Sequence, residues 1–221
     1  MKNDICRAVF LALATMPLGG LAVDNVLYQE DFSSFPVDQR PAGFNATCLV
    51  KEEDGTKYLS YPLPGFGYIF QPNMTKYLGS QKWQDIELSF RFRFPDPKKN
   101  GFSLILKSQG NRPAGVKYLL YYVGIKSDGA EATAQGASKE DAEKYGIKKV
   151  AFADKGLPPL EAGKWYKAKV VVKNGFLDFS LGNGGNMLNT LEGNVLPGGG
   201  GIDFLTYTPL DLADIRVVET P

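Results

Sequence analysis

The segment that decides the fold is IELSFRFRF, residues Ile86–Phe94. Apolar residues occupy every second position, and Glu87, Ser89, Arg91 and Arg93 occupy the positions between them. Side chains alternate between the two faces of a β-strand, whereas a helix would space its apolar residues three or four positions apart. The segment therefore predicts a strand with one face in a core and the other in water.

The same period of two recurs along the chain between turn sequences. It is clearest at Phe102–Lys107, Tyr166–Lys173 and Phe176–Leu181, and Asn-Gly before the last of these favours a tight hairpin. Tyr118–Lys126 is apolar on both faces, which predicts either a central strand or a strand whose outer face carries aromatic residues. Shorter strands are predicted at Leu27–Asp31, Cys48–Lys51, Tyr58–Tyr61, Gly67–Gln71 and Gly201–Thr206, with a last strand around Ile215 and Val217. Together they predict an all-β, two-sheet antiparallel sandwich.

The stretch from Gly129 to Ala153 breaks this rhythm. Within it, Ser138-Lys139-Glu140-Asp141 has the form of a capping box, which predicts one short helical excursion near 138–145. Long connections between strands often carry function. A surface loop without a function fits the pattern equally well.

Residues 1–22 have the layout of a secretory signal peptide. Lys2 and Arg7 precede and flank an apolar run from Ala8 to Ala14, and the small residue Ala22 precedes the expected cut. The run is shorter than the ~20 apolar residues of a membrane-spanning helix, so cleavage is expected rather than a retained anchor. We therefore expect one domain, residues 23–221, that is secreted, periplasmic or at the cell surface and has no membrane span.

Charge and cysteine content narrow the possible partners. Cleavage removes two basic residues and one acidic residue from totals of 25 and 24, which leaves a net charge of zero. Binders of nucleic acid and of anionic membranes carry basic patches, so neither partner is expected. Of the two cysteines only Cys48 would remain. It cannot form an intramolecular disulfide, and a small buried side chain is the expected role.

Four segments carry a resemblance to a known superfamily. They are Glu30–Pro36, Trp83–Phe92, Leu160–Val170, and Gly201–Phe204 together with Leu212–Val217. In their order along the chain they resemble the concanavalin-A-like lectins and glucanases, particularly the laminin-G-like and 3-keto-disaccharide-hydrolase-like bacterial domains. The resemblance implies a jelly-roll sandwich and a carbohydrate or glycoconjugate as the partner.

Catalytic chemistry is restricted because the chain contains no histidine, which excludes a Ser-His-Asp triad and the usual zinc ligand. A carboxylate pair remains, and Asp85 and Glu87 are the candidates if the protein is an enzyme. Arg91 and Arg93 continue the same strand face, however, and nearby cations lower a carboxylate pKa. The Glu-x-Asp-x-(x)-Glu motif of sandwich glucanases is absent, as is the acidic residue expected in Tyr118–Lys126. No catalytic residue is therefore predicted, although an enzyme is not excluded.

Sugar binding requires fewer special residues, namely aromatic faces and a few oriented polar groups. Trp83 and Trp165 lie just before strands and are expected to be packing residues. A bound calcium would use Asp178, Asn183 and Asn186, but their spacing is not diagnostic and no cofactor is predicted. Further candidate aromatic residues are Tyr61, Phe66, Tyr68 and Tyr207, and core packing is the alternative role for all the candidate tyrosines, including Tyr121 and Tyr122. The predicted ligand-binding residues, provided that their strands share a face, are Arg91, Arg93, Lys107, Tyr121, Tyr122 and Asp178.

Three functions remain open on the sequence. The favoured one is a non-catalytic domain that binds carbohydrate or glycoconjugate. The second is a glycoside-cleaving enzyme of the 3-keto-disaccharide hydrolase type. The third is a structural or interaction domain of a cell-surface assembly. Clustered carboxylates beside exposed aromatic rings would favour the enzyme.

Overall fold

The computed structural model describes residues 24–65, 67–70, 83–96, 101–108, 119–126, 129–136, 160–173, 176–182, 186–190 and 201–220. These ranges contain strands and no helix, which confirms the predicted all-β class. In chain order the strands are β1 (Val26–Glu30), β2 (Leu49–Glu53), β3 (Thr56–Tyr61), β4 (Gly67–Tyr68), β5 (Ile86–Arg93), β6 (Gly101–Ser108), β7 (Leu119–Lys126), β8 (Gly129–Gly136), β9 (Tyr166–Lys173), β10 (Phe176–Leu181), β11 (Asn186–Thr190), β12 (Gly201–Thr206) and β13 (Leu210–Glu219).

The strands form two antiparallel sheets. The eight-stranded sheet has the order β11-β10-β9-β5-β13-β3-β2, and β1 also pairs with β13. The five-stranded sheet has the order β4-β12-β6-β7-β8. Strand β13 therefore has β5 along one edge, while β3 and β1 share the other edge. A β-bulge interrupts its pairing with β5 between Ala213 and Arg216, and Asp214 within the bulge has a φ of 50°.

Aromatic side chains fill the space between the sheets. Phe90 and Phe92 of β5 are buried and meet buried rings from the five-stranded sheet. The Phe90 and Phe204 ring centroids are 4.9 Å apart, and those of Phe92 and Phe102 are 5.0 Å apart, both edge to face. Such pairs add about 0.5–1.5 kcal/mol to the burial of each ring. The alternation of Ile86–Phe94 thus places its apolar residues in the core as predicted.

Two details of the strand predictions are wrong. Residues Gly129–Gly136 form β8 rather than the start of an excursion, and Lys126 pairs with Gly129 across a hairpin from β7. The second face of Phe102–Lys107 was expected in water, yet Ser103 is 1% and Ile105 8% exposed. The predicted helix near 138–145 and the predicted signal peptide lie outside the described residues.

Other expectations can be compared with the structure directly. Strand β7 lies between β6 and β8, as predicted for a central strand. Cys48 is buried without a disulfide, and burial raises the pKa of its thiol to about 12. Within the described ranges, no helix has the length and apolar character needed to cross a membrane.

Candidate functional site

Arg93 lies at the centre of an aromatic and charged cluster on the outward face of the eight-stranded sheet. Its guanidinium carbon is 4.9 Å from the centroid of the Tyr58 ring and 4.7 Å from that of Trp165. Its Nε donates to Asp211 Oδ2 at 2.8 Å, and its Nη1 donates to Glu53 Oε2 at 2.5 Å. The side chain is only 12% exposed. One arginine thus fixes two rings and two carboxylates through cation–π contacts and charge-assisted hydrogen bonds.

Strand register brings this cluster together from distant parts of the sequence. Asp211 of β13 pairs with Arg93 on one side and with Ser60 on the other. Tyr58 stands two residues before Ser60 on β3 and therefore shares its face. Tyr166 pairs with Phe92 at the start of β9, so the preceding residue, Trp165, lies beside Arg93. The Tyr58 and Trp165 rings meet edge to face with centroids 5.5 Å apart.

The two carboxylates of the cluster differ in their surroundings. The Arg93 hydrogen bond and charge, aided by the Trp165 indole N–H, lower the pKa of Glu53 at the solvent edge. Burial raises the pKa of Asp211 against the opposing effect of hydrogen bonds from Arg93 and Ser60. Glu53 is therefore an ionised acceptor that a ligand can reach, while Asp211 anchors Arg93 from below.

Arg91 extends the cluster along β5. Its guanidinium carbon is 5.3 Å from the Trp165 ring centroid, and its Nε donates to Asp214 Oδ2 in the bulge of β13. Beside it opens a cleft of about 140 Å³, which we call the aromatic cleft. Its lining residues are Glu53, Asp54, Thr56, Tyr58, Arg91 and Trp165.

A larger cleft of about 350 Å³, the charged cleft, opens on the other side of Arg91. It lies where the end of β1 meets the bulge of β13, beside β5 and β9. The lining residues that carry polar side chains are Gln29, Glu30, Asp31, Ser89, Arg91, Lys167, Asp214 and Arg216. Because Arg91 lines both clefts, they form adjacent parts of one surface.

Two neighbouring acids in the charged cleft have pKa values displaced in opposite directions. Burial raises the pKa of Glu30, although its Oε1 accepts the Phe32 N–H at 2.6 Å. Hydrogen bonds from Ser33 lower the pKa of Asp31, whose Oδ1 accepts the Ser33 N–H at 2.9 Å. Both acids therefore hold the turn after β1, in which buried Phe32 has a φ of 61°.

The structure divides the predicted ligand-binding residues between the two sheets. Arg91 and Arg93 meet in the cluster, whereas Asp178 lies on β10, paired with Val171 of β9. Lys107 of β6 and Tyr121 and Tyr122 of β7 belong to the five-stranded sheet. The six residues therefore do not share one strand face.

The alternative catalytic residues, Asp85 and Glu87, lie outside both clefts. Glu87 of β5 accepts a hydrogen bond from Lys169 Nζ at 3.1 Å. Asp85 precedes β5, and its carbonyl accepts the Thr220 N–H. Among the described residues, no group of three or more His, Cys, Asp or Glu is placed to hold a metal ion. Asp178 is described, but Asn183 and the side chain of Asn186 are not.

Sequence reasoning missed several residues of this site. Trp83 is buried as expected, and Trp165 packs against Tyr58, Arg91 and Arg93 but also lines a cleft, which was not expected. The sequence spacing of Trp165 could have indicated this position. Trp165 is two residues before Lys167 and four before Lys169, so it shares the polar, outward face of the strand that follows. The contributions of Tyr58, Glu53, Glu30 and Asp214 had no comparable signal, since they depend on pairing with distant strands.

Comparisons with known proteins identify the fold but no family. No protein-family model matches the sequence, and no curated protein is similar to it. A structure reported for endo-acting O-glycanases, which prominent members of the human gut microbiota express to initiate mucin breakdown, has a TM-score of 0.57. The two sequences are 12% identical, and the similarity covers 89% of this chain and 100% of the other.

Two further structures are similar over most of both chains. The lumenal domain of VIP36, with Ca²⁺ and Man3GlcNAc bound, has a TM-score of 0.52 at 13% identity and covers 80% of this chain and 83% of its own. A Bacillus subtilis protein with a galectin-like fold has a TM-score of 0.50 at 12% identity, with coverage of 88% and 96%. The fold is a two-sheet β-sandwich of the kind found in these structures. At these identities the similarity establishes the fold and not the activity.

Proposed function

We propose that this protein is an exported carbohydrate-binding domain that holds its ligand on the outward face of the eight-stranded sheet. The observation that carries the proposal is the aromatic cleft, in which Trp165 and Tyr58 lie beside Glu53 and Arg91. An aromatic face packs against the apolar face of a sugar ring, while an ionised acceptor and a guanidinium donor bond to its hydroxyl groups. The VIP36 domain among the structural neighbours, which was solved with Man3GlcNAc bound, supports the same class of ligand.

The geometry also supports a rigid binding site. Arg93 is held by Asp211 and Glu53 and contacts both rings, so the ligand does not have to order the aromatic side chains itself. Such preorganisation reduces the entropic cost of binding. Arg93 is therefore a positioning residue, and the proposed direct contacts are made by Trp165, Tyr58, Glu53 and Arg91.

Replacement of Trp165 by alanine tests the proposal. A central tryptophan commonly contributes about 2 kcal/mol or more to binding, or about thirtyfold in affinity. Wild type and variant would be compared on a glycan array and by calorimetry with the best glycan. The control is Tyr207→Ala, which removes an exposed ring next to the five-stranded sheet and should leave binding unchanged. Undiminished binding by Trp165→Ala, or no glycan bound by the wild type, would contradict the proposal.

Glycoside cleavage is the second candidate, and the pair of acids in the charged cleft favours it. Glycosidases use one carboxyl group with a raised pKa as the acid and an ionised one as base or nucleophile. Glu30 and Asp31 have that pattern, although both also stabilise a turn. Release of reducing ends from the bound glycan, lost in Glu30→Gln while binding is retained, would establish catalysis. If the glycan is bound but not cleaved, the result would exclude glycoside cleavage of that glycan and support the non-catalytic function.

Export is proposed from residues 1–22 alone. Expression of the full chain in a secretion-competent host, followed by N-terminal sequencing of the product, tests it. A mature protein that begins at Val23 outside the cytoplasm is the expected result. A product that retains Met1 and stays in the cytoplasm would overturn it.

A further inference from the structure

The two clefts differ in chemistry but share Arg91. On one side of it are the rings of Trp165 and Tyr58. On the other side are mostly hydrogen-bonding groups, including Gln29, Ser89 and Lys167. Arg91 itself is fixed by its bond to Asp214, so it forms a stable boundary between the clefts.

The sizes of the clefts indicate a ligand longer than one unit. Small-molecule sites usually enclose about 300–1,000 Å³, and the aromatic cleft, at about 140 Å³, is below that range. The charged cleft reaches about 350 Å³. A ligand that stacks on Trp165 must therefore extend beyond the aromatic cleft to be well enclosed, and the larger cleft lies directly across Arg91.

The balance of charge indicates what kind of ligand fits. Within the described residues, each arginine near the clefts has a carboxylate partner: Arg91 bonds Asp214, Arg93 bonds Glu53 and Asp211, and Arg216 bonds Asp24. Lys167 is the one lining cation of the described part that has no such partner. The linings together hold three cations, Arg91, Lys167 and Arg216, and five carboxylates, Glu30, Asp31, Glu53, Asp54 and Asp214.

An excess of carboxylates disfavours an anionic ligand, because like charges repel across an interface. Hydroxyl groups, in contrast, donate to carboxylates and accept from Arg and Lys. A surface on which fixed donors and acceptors alternate therefore suits an uncharged polyol. Sugar carboxylates and sulfates would displace the existing ion pairs without a free cation cluster to receive them.

We propose, building on the carbohydrate-binding function above, that the ligand is an uncharged oligosaccharide of two or more units that crosses the Arg91–Asp214 ion pair. One unit stacks in the aromatic cleft. The next unit bonds Lys167, Ser89 and Gln29 in the charged cleft. The Arg91 guanidinium lies under the glycosidic linkage between them.

The experiment measures affinity against chain length and charge by calorimetry. The probes are neutral gluco-, manno-, xylo- and chito-oligosaccharides of one to six units, with oligogalacturonates of the same lengths. For the neutral series that binds, affinity should rise about tenfold or more from one unit to three, since a few charge-assisted bonds are added. Oligogalacturonates should bind at least about tenfold more weakly than the neutral series of equal length, and added salt should reduce that gap because it screens repulsion.

A matched pair of variants locates the second unit. Lys167 and Lys169 lie two residues apart on β9, and only Lys167 lines the charged cleft. Lys167→Met should weaken binding of the trisaccharide severalfold without changing binding of the monosaccharide, which occupies the aromatic cleft alone. Lys169→Met, which removes a bond to Glu87 outside the clefts, should change neither. Thermal melts of both variants confirm that they are folded.

The outcomes separate this inference from the function on which it rests. If no probe binds, or if Trp165→Ala binds like the wild type, the carbohydrate-binding function itself fails. If binding depends on Trp165 but a monosaccharide binds as tightly as the hexamer, the function stands and the two-cleft ligand is wrong. Preferential binding of oligogalacturonates, with loss on adding salt, would overturn the uncharged ligand class.

Discussion

The outward faces of the two sheets are built differently. On the eight-stranded sheet, outward positions of β5 and β9 carry Arg91, Arg93, Lys167 and Lys169, whose charges reach solvent or neighbouring carboxylates. On the five-stranded sheet, the corresponding positions Ser103, Ile105 and Leu205 are 1%, 8% and 6% exposed. Alternation along a strand therefore identifies which residues share a face, but it does not identify which faces meet water. Within the described part of the chain, both clefts of the proposed site lie on the solvated face.

The largest expected effect comes from placing a charge on the buried outward face. Ile105→Lys should reduce the free energy of unfolding by about 3 kcal/mol or more, because it buries an unpaired cation. The matched change on the other sheet is Val171→Lys, whose strand neighbours are Glu87 and Asp178. It should cost less than about 1 kcal/mol. Urea denaturation measures both, and equal losses would show that the two faces do not differ.

Asp203 of β12 pairs with Ile105 and provides a pH test of whether the outward face of the five-stranded sheet is shielded from water. Burial raises its pKa to about 7, so between its ordinary value and pH 7 the folded protein holds a proton that the unfolded chain releases. The free energy of unfolding should therefore fall by up to roughly 4 kcal/mol as pH rises through this window. Above the window it should level off. Asp203→Asn cannot ionise and can keep the bond from the Phe70 N–H at 3.3 Å.

The variant and the wild type should thus be similar near pH 4, and the variant should be the more stable near pH 8. Denaturation at several pH values compares the two proteins. A wild-type curve parallel to that of Asp203→Asn would show that this carboxylate is not desolvated.

On the solvated face, variants at Arg93 can distinguish its contribution to stability from its contribution to ligand binding. Arg93→Met should lower the free energy of unfolding by about 2–3 kcal/mol, because it leaves the carboxylate of Asp211 without its cation. The Asp211 side chain is only 4% exposed. The double variant Arg93→Met/Asp211→Leu should recover to within about 1 kcal/mol of the wild type, since an apolar pair avoids the desolvation cost. Neither should bind glycan well, because Trp165 has lost its support. If the folded double variant bound glycan as well as the wild type, Arg93 would have no role in the binding site.

The smallest effect is expected where Gly67 of the five-stranded sheet lies against Tyr61 of the eight-stranded sheet. A Cβ added at Gly67 of β4 would lie 2.7 Å from Cζ of Tyr61 on β3, a buried ring. Gly67→Ala should therefore lower stability by about 1–2 kcal/mol through overpacking. The double variant Gly67→Ala/Tyr61→Phe should lose less than the sum of the single losses if the clash is the cause. Additive losses in thermal denaturation would indicate another origin.

The fold could be predicted from the sequence because burial in a sandwich repeats along each strand. The pattern of Ile86–Phe94 identified its inward residues and placed Arg91 and Arg93 on one outward face. Strand β8 was missed because its sequence, GAEATAQG, has little β-propensity of its own and pairs with β7 across a hairpin. The burial of Ile105 was missed because an apolar outward residue does not show whether its face is covered.

The candidate site was predicted only in part, for a different physical reason. Its residues come from β1, β2, β3, β5, β9 and β13 and from the approach to β9, and their proximity depends on strand order and register. Neither can be read from a local pattern. The bulge that places Asp214 beside Arg91 likewise depends on how β13 pairs with β5. Arg91 and Arg93 were found because both lie on the one strand whose pattern is clearest.

The position of β13 determines when this sheet can form. It is the last of the described strands in chain order, yet it lies in the middle of the eight-stranded sheet and pairs with β1, β3 and β5. Arg216 on β13 bonds Asp24 across 192 residues of sequence. As the chain leaves the ribosome, the earlier strands have no partner at this edge until β13 has been made. The sheet can therefore be completed only after β13 has been made, with the slow closure typical of distant strand pairs.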